Sequence, residues 1–90
     1  MKKVIVTVVG KDSVGIIAKV CTYMAENKIN ILDISQTIVS GYFNMMMIAD
    51  MEACPLHFEE TETAMEKLGE SIGVSIRIQR EEIFDMMHRI

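Results

Sequence analysis

The 90-residue sequence has no tryptophan, a single proline and only two cysteines. Cys21 and Cys54 lack the paired cysteine or histidine spacing of zinc sites and redox motifs, so no metal site is expected. The nine Lys and Arg residues are scattered and the net charge is −4, which argues against direct nucleic-acid binding. No apolar run is long enough for a signal or membrane segment, so we expect a cytoplasmic protein that does not bind a membrane.

Methionine and hydrophobic residues are abundant instead. Half of the residues are hydrophobic and nine are methionines, a residue type that suits adaptable interiors and shared surfaces. Ninety residues make one domain whose core is small enough that association often completes it. We therefore expect a single domain over 1–90 that forms a homodimer or a higher homo-oligomer.

The first half of the sequence predicts a strand, a helix and a hairpin. Residues 4–9 are β-branched and apolar on both faces, which is typical of a central strand. A helix follows from near Ile16, with Asp12 or Ser13 as its expected N-terminal cap and a left-handed Asn27 at its end. The apolar positions at helical spacing are Ile17, Val20, Cys21 and Met24. Residues 30–40 predict an edge strand, and a turn at Ser40-Gly41 leads into a strand over 42–51.

The second half predicts a helix and a last strand. The positions that share one face of that helix are Phe58, Thr61, Met65, Leu68 and Ile72. Gly73 is expected to end the helix, and residues 74–78 alternate with the period of a strand.

The resulting order is βαββαβ, which predicts an α+β fold of the ferredoxin-like type. Its four-stranded antiparallel sheet carries both helices on one face and leaves the other face open. Residues 45–48 are apolar on both sides, so something must shield the open face. Residues 81–90 predict a short C-terminal helix that docks either on its own subunit or on a neighbour.

The segment 10–16, which we call the elbow, turns the first strand into the first helix. It begins Gly10-Lys11-Asp12-Ser13-Val14-Gly15 and ends at Ile16. Glycines at a strand-to-helix turn leave backbone N–H groups pointing outward, and such groups attract carboxylates and other anions. The elbow is therefore the best candidate in the sequence for contact with a small ligand.

These residues resemble a known family. The elbow, the later Asn30-Ile31-Leu32-Asp33-Ile34 and the strand that carries Phe43 and residues 45–47 are similar to ACT domains. The resemblance covers the whole chain and points to small stand-alone ACT proteins, related to the ACT domains of glycine cleavage system transcriptional repressors. It implies a non-catalytic regulatory module, without a cofactor, that binds an amino acid or similar small ligand at a homodimer interface.

In the family that this sequence resembles, the ligand lies between the first strand–helix loop of one subunit and the start of the partner's second strand. The ligand-binding positions that the resemblance implies are Gly10, Asp12, Ser13, Val14, Gly15, Ile16, Asn30 and Ile31. Backbone N–H groups would receive an α-carboxylate, Asp12 would pair with an α-ammonium, and Asn30 would orient the ligand. Ser13 and Val14 replace the basic residue and the proline of the commoner loop, which removes a positive charge and some rigidity.

Other function classes find less support in the sequence. His57 and His88 lie near no convincing nucleophile, so no catalytic residues are expected. The first strand lacks the stacking aromatics of RNA-recognition modules, and the elbow lacks the cysteine pair of metallochaperones. One alternative stays open: a protein-interaction module that regulates a partner enzyme or transcription factor through its open face or tail, without a small ligand.

Overall fold

The computed structural model describes residues 2–11 and 13–82. Along the chain lie β1 (Lys3–Lys11), α1 (Ile16–Glu26), β2 (Asn30–Val39), β3 (Tyr42–Asp50), α2 (Phe58–Ile72) and β4 (Val74–Arg80). The predicted βαββαβ order is confirmed, with β4 two residues longer than its alternating segment. The predicted C-terminal helix falls on 81–90, of which 83–90 lie outside the described residues.

The four strands form one antiparallel sheet in the order β2-β3-β1-β4. This is the ferredoxin-like arrangement, with β1 in the centre and β2 at an edge, as the sequence predicts. At one end of the sheet, which we call the Asn30 end, Asn30 faces Asp50 and Asp50 faces Lys3. The other end, the elbow end, begins with the row in which Tyr42 faces both Val39 and Lys11.

The hydrophobic core lies between the helices and one face of the sheet. Val6, Met47 and Ile78 face one another across three strands and are buried. The helices contribute Ile16, Val20 and Met24 from α1 and Thr61, Met65 and Gly69 from α2. Three of the methionines, Met24, Met47 and Met65, are fully buried, so part of the methionine content fills the core.

The opposite face of the sheet is the open face, and no described helix packs on it. Met45 and Met47 point into the core, whereas Met46 on the open face is 42% exposed. Val9 and Tyr42 are exposed on the same side. The prediction that this stretch is apolar on both sides is therefore confirmed.

The start of α1 departs from the prediction. The buried stripe runs through Ile16, Val20 and Met24, while Ile17 is exposed and Cys21 is half-buried. Residues four apart in a helix lie only about 40° apart around its axis, so these three share one face and Ile17 lies to its side. Ile17 and Cys21, which share the helical spacing of Val20 and Met24, therefore lie beside the buried stripe and not on it.

The helix ends differ from the predictions at two of three places. Gly15, with φ 87°, is the N-terminal cap of α1, so the predicted cap at Ser13 is wrong, and Asp12 lies outside the described residues. Asn27 has φ −103°, and the left-handed position is the next residue, Lys28, with φ 57°. The Asn27 amide instead donates a hydrogen bond to the Tyr23 carbonyl at 2.9 Å. The left-handed Gly73 that ends α2 is confirmed, with φ 77°.

Candidate functional site

The elbow is shaped by two glycines that serve different purposes. Gly10 faces Val74 across the β1–β4 pair, and a Cβ on Gly10 would lie 2.8 Å from Val74 Cγ1 and 3.0 Å from Val74 Cα. Any larger residue would therefore push the two strands apart. Gly15 has open space around it, but its positive φ is a conformation that other residues adopt only with strain. The first glycine permits close packing and the second permits the turn.

The start of α1 presents backbone donors to solvent. Gly15 has no side chain to cap the helix, and the first turn contains no acidic residue. Ser13 and Val14 are both exposed beside these N–H groups. The helix start is therefore suited to receive a carboxylate, because the first N–H groups of a helix lack intrahelical acceptors.

The predicted elbow residues are not equivalent in the structure. Gly10, Ser13, Val14 and Gly15 lie together on the surface of the elbow end, with the two glycines half-buried. The Ile16 side chain is buried in the core at 2% exposure, so Ile16 could contact a ligand only through its backbone. Asp12, the predicted partner of an α-ammonium, lies outside the described residues.

Asn30 and Ile31 lie at the opposite end of the sheet. Asn30 is exposed and Ile31 is half-buried, and Asn30 shares the row of Asp50 and Lys3 at the start of β1. Because β1 is nine residues long, this row lies about 27 Å from the elbow end. One copy of the chain does not bring the two groups of predicted residues together.

Asp50, the neighbour of Asn30, is already occupied by backbone groups. Its Oδ1 accepts hydrogen bonds from the Glu52 N–H at 2.9 Å and the Lys2 N–H at 3.0 Å. The bond from the Glu52 N–H is the main cause that holds the pKa of the Asp50 carboxyl below its usual value; desolvation opposes it, and the bond from the Lys2 N–H and the nearby Lys3 charge add to the lowering. Through Oδ1 this carboxylate links the start of β1 to the end of β3.

Sequence reasoning missed a cavity of about 570 Å³ near the Asn30 end. It lies between the start of β1, the start of α2 and the end of β4, and includes Lys3, His57 and Arg80. The Arg80 guanidinium lies over the Phe58 ring at 4.3 Å and 3.6 Å from Glu59 Oε1, so neighbouring groups already contact its charge. The mixed basic and acidic residues that line the cavity form no motif in the sequence, and the cavity lies far from the elbow.

Tyr23 is the other perturbed group. Burial, and then the nearby Cys54, raise the pKa of its hydroxyl, which has no hydrogen-bond partner among the described residues. The described part of the chain contains no cluster of three His, Cys, Asp or Glu residues that could hold a metal ion. Within that part, no helix has both the length and the apolar character needed to cross a membrane.

Comparisons with known proteins agree with the fold. The chain is 59% identical to a UPF0237 protein of Bifidobacterium longum over 90 residues, which cover both chains completely. It is 48% identical to a UPF0237 protein of the archaeon Methanococcus maripaludis, again over the full length of both. An ACT domain protein from Streptococcus pneumoniae superimposes with a TM-score of 0.83 at 40% identity, over 93% of this chain and 94% of that one.

Similar domains also occur within longer proteins. A formyltetrahydrofolate deformylase from Pseudomonas syringae matches 88% of this chain with 27% of its own, at a TM-score of 0.81 and 25% identity. A protein assigned as a glycine cleavage system transcriptional repressor has the same fold, with a TM-score of 0.74 at 22% identity over 45% of its length. The family profile of the ACT domain matches residues 2–79. The chain therefore belongs to the ACT domain family, whose members are typically regulatory ligand-binding modules, and nothing in these similarities indicates a catalytic activity.

Proposed function

We propose that this protein is a non-catalytic regulatory module that binds an amino acid or a similar small ligand at a homodimer interface. The observation that carries the proposal is the separation of the predicted site into two halves. The elbow and Asn30 lie at opposite ends of the sheet, about 27 Å apart. A ligand that contacts both must lie between the elbow of one copy and Asn30 of another.

The chemistry of the two halves suits a zwitterion. The uncapped N–H groups at the start of α1 would bind the α-carboxylate of the ligand. Asp12, which belongs to the elbow in the sequence, would pair with the α-ammonium. Asn30, which offers both a donor and an acceptor, would fix the orientation of the ligand. Such binding would make the assembly of two copies responsive to the ligand, with the cytoplasm as its place of action.

A thermal-shift screen of the amino acids tests this function. A ligand present at about one hundred times its Kd should stabilise the folded protein by about 2.7 kcal/mol. Asn30→Ala and Asp12→Ala should each weaken binding at least about tenfold, since each removes a hydrogen bond to or from a charged group. Asn44→Ala and Glu66→Ala, at exposed positions on β3 and α2, are the matched controls and should respond like the parent chain. Equal responses of all four variants would contradict the proposed site.

One observation favours the alternative without a small ligand. Val9, Val39, Tyr42 and Met46 leave exposed apolar surface on the open face of the sheet, and such surfaces often contact other proteins. A screen in which no amino acid stabilises an intact dimer would favour a module that regulates a partner enzyme or transcription factor by direct contact.

A further inference from the structure

One residue on the open face of the sheet is buried without belonging to the core. Ile5 lies between Val4 and Val6, whose side chains point into the core, so its own side chain points to the open face. It is 4% exposed, yet it is not among the residues that pack between the sheet and the helices. Val9, on the same strand and the same face, is 48% exposed. The open face is therefore covered at Ile5 and accessible at Val9.

The neighbouring strands alone do not account for this burial. Ile5 faces Ile48 of β3 and Gln79 of β4, and both of these residues are half-buried. Side chains on a sheet stand roughly perpendicular to it, so neighbours flank a residue without lying over it. Thr7, the next residue of β1 on this face, also has long side chains on both sides and is only half-buried, although it is smaller. The covered patch is therefore centred on Ile5, near the Asn30 end.

The C-terminal segment begins beside this patch. β4 ends at Arg80, and the residue before Arg80 faces Ile5. Residues 81 and 82 have a helical backbone, so the chain leaves the sheet at this point. Residues 83–90 follow, outside the described part of the chain. A helix of ten residues is about 15 Å long, and three spacings between strands add up to about 14 Å. The segment is therefore long enough to reach from β4 across β1 of its own subunit.

The sequence of this segment predicts a helix with one apolar side. At about 100° per residue, the apolar residues fall on one side of the helix and the polar residues on the other. The apolar residues are Ile83, Phe84, Met86, Met87 and Ile90, and the polar residues are Glu81, Glu82, Asp85, His88 and Arg89. A helix this short is marginal in water unless its apolar side is buried. Ile5 and Ile48 offer an apolar surface next to its start.

The cavity of about 570 Å³ is another surface within reach of the segment. Charged residues from three elements line it, among them Lys3, Glu59 and Arg80. Burial of apolar side chains against such a lining would remove water from charges that keep few partners in exchange. Ile5 does not line this cavity, so an occupant of the cavity would leave the burial of Ile5 unexplained.

We propose that residues 83–90 fold back over the open face of their own subunit and cover Ile5. The segment divides the open face into two halves. The half at the Asn30 end is covered, whereas the half at the elbow end, with Val9, Tyr42 and Met46, is left accessible. A partner protein would then contact the open face only beside the elbow. This inference goes beyond the proposed function, because it requires neither a small ligand nor a second copy.

The accessibility of introduced thiols tests the proposal. With both natural cysteines replaced by alanine, Ile5→Cys should react with iodoacetamide at least about tenfold more slowly than Val9→Cys. Met87→Asp places a carboxylate on the apolar side of the segment, so it should raise the labelling rate of Ile5→Cys at least about tenfold. His88→Asp introduces the same side chain on the polar side and is the matched control, which should leave that rate unchanged. Val6→Cys, in the core, should stay unreactive beside Met87→Asp, which separates uncovering of the face from unfolding.

Urea unfolding provides a second test that needs no thiol. Ile5→Ser should lower the urea midpoint of the parent chain more than that of the Met87→Asp variant, because the second variant has already lost the contact. Val9→Ser, on the accessible half of the face, is the control and should lower both midpoints equally. Equal effects of Ile5→Ser in the two chains would show that Ile5 and Met87 share no contact, which would overturn the proposal.

Two further measurements identify other occupants. A hundredfold dilution should leave the labelling rate of Ile5→Cys unchanged, and a rate that rises on dilution would show that a second copy covers Ile5. In the Cys21→Ala chain, Cys54 reports on the cavity that it lines. If Met87→Asp speeds the labelling of Cys54 and leaves Ile5→Cys slow, the segment lies in the cavity. Either result would overturn the proposal and leave the proposed function standing.

Discussion

At the scale of single residues, Val74 determines how closely the parts of the fold approach. Its side chain contacts Gly10 at the end of β1, and its carbonyl oxygen would lie 2.6 Å from a Cβ on Gly69 of α2. The neighbour of Gly69 is thus a backbone atom, which no rotamer change can move away. Glycine at both positions lets β1, β4 and the last part of α2 pack together near the elbow.

Gly69→Ala should therefore destabilise the protein. Alanine is the better helix former by about 1 kcal/mol, but the clash with the Val74 carbonyl should outweigh that gain and lower the free energy of unfolding by about 1–3 kcal/mol. Urea unfolding measures the change. Glu70→Ala, an exposed position on the same helix, is the control and should be close to neutral. A higher urea midpoint for Gly69→Ala than for the parent chain would contradict the packing argument.

Asp50 should make stability depend on pH in the acid range. Its folded-state pKa is lowered because its carboxylate accepts hydrogen bonds from the Glu52 and Lys2 N–H groups. The stability that it contributes is therefore present above the unfolded pKa of about 3.9 and is lost as the pH falls through the lower folded pKa. Asp50→Asn should be less stable than the parent at neutral pH, and the difference should shrink below about pH 4. Urea midpoints across this pH range measure it, with Glu66→Gln on the outer face of α2 as the control.

At the scale of elements, the β2–β3 hairpin brings the edge strand to the elbow end. Its turn has two successive left-handed residues, Ser40 with φ 52° and Gly41 with φ 80°. Glycine adopts this conformation without strain, whereas serine does so at a cost. The sequence predicts the turn from Ser40-Gly41, but Asn-Gly is the pair that such turns favour.

Ser40→Asn should therefore stabilise the hairpin. Asparagine tolerates the left-handed region better than serine, so the free energy of unfolding should rise by up to about 1 kcal/mol. Ser40→Val should lower it, because a β-branched side chain is strained at positive φ. Thermal and urea unfolding of both variants measure the effect. A stabilising valine would show that the turn in solution has a different conformation.

At the scale of the whole molecule, the chain has one well-covered side and two exposed surfaces. The helices bury one face of the sheet, while Val9, Tyr42 and Met46 on the open face and the β2 edge are exposed. A core of this size leaves limited stability to spare, so association with a second copy would add substantially to the stability of the fold.

The melting temperature should therefore rise with protein concentration. Association of two folded copies stabilises the native state by mass action, and dilution removes that stabilisation. Scanning calorimetry measures the melting temperature across a hundredfold dilution series. Over that range the free energy of association changes by about 2.7 kcal/mol. A melting temperature that does not change in the parent chain would contradict dimerisation.

The sequence alone determined the element order, the sheet type and the edge position of β2. These follow from local patterns: β-branched runs, helical spacing around Met24 and Met65, and glycines at turns. It did not determine which side of α1 faces the core, because Ile16 and Ile17 are both apolar and only contact with the sheet distinguishes them. The cap at Gly15 was missed for a related reason: its left-handed conformation depends on the path of the chain between β1 and α1.

The residues of the candidate site were identified from local sequence and family resemblance, but their spatial relation was decided by the tertiary structure. Gly10 and Asn30 are twenty positions apart in the chain, and nothing local in the sequence states that they lie at opposite ends of one sheet. That placement arises because α1 carries the chain back along the sheet, so that β2 runs parallel to β1 and begins where β1 begins. Local patterns specify which elements form, whereas distances between them depend on how their buried faces pack.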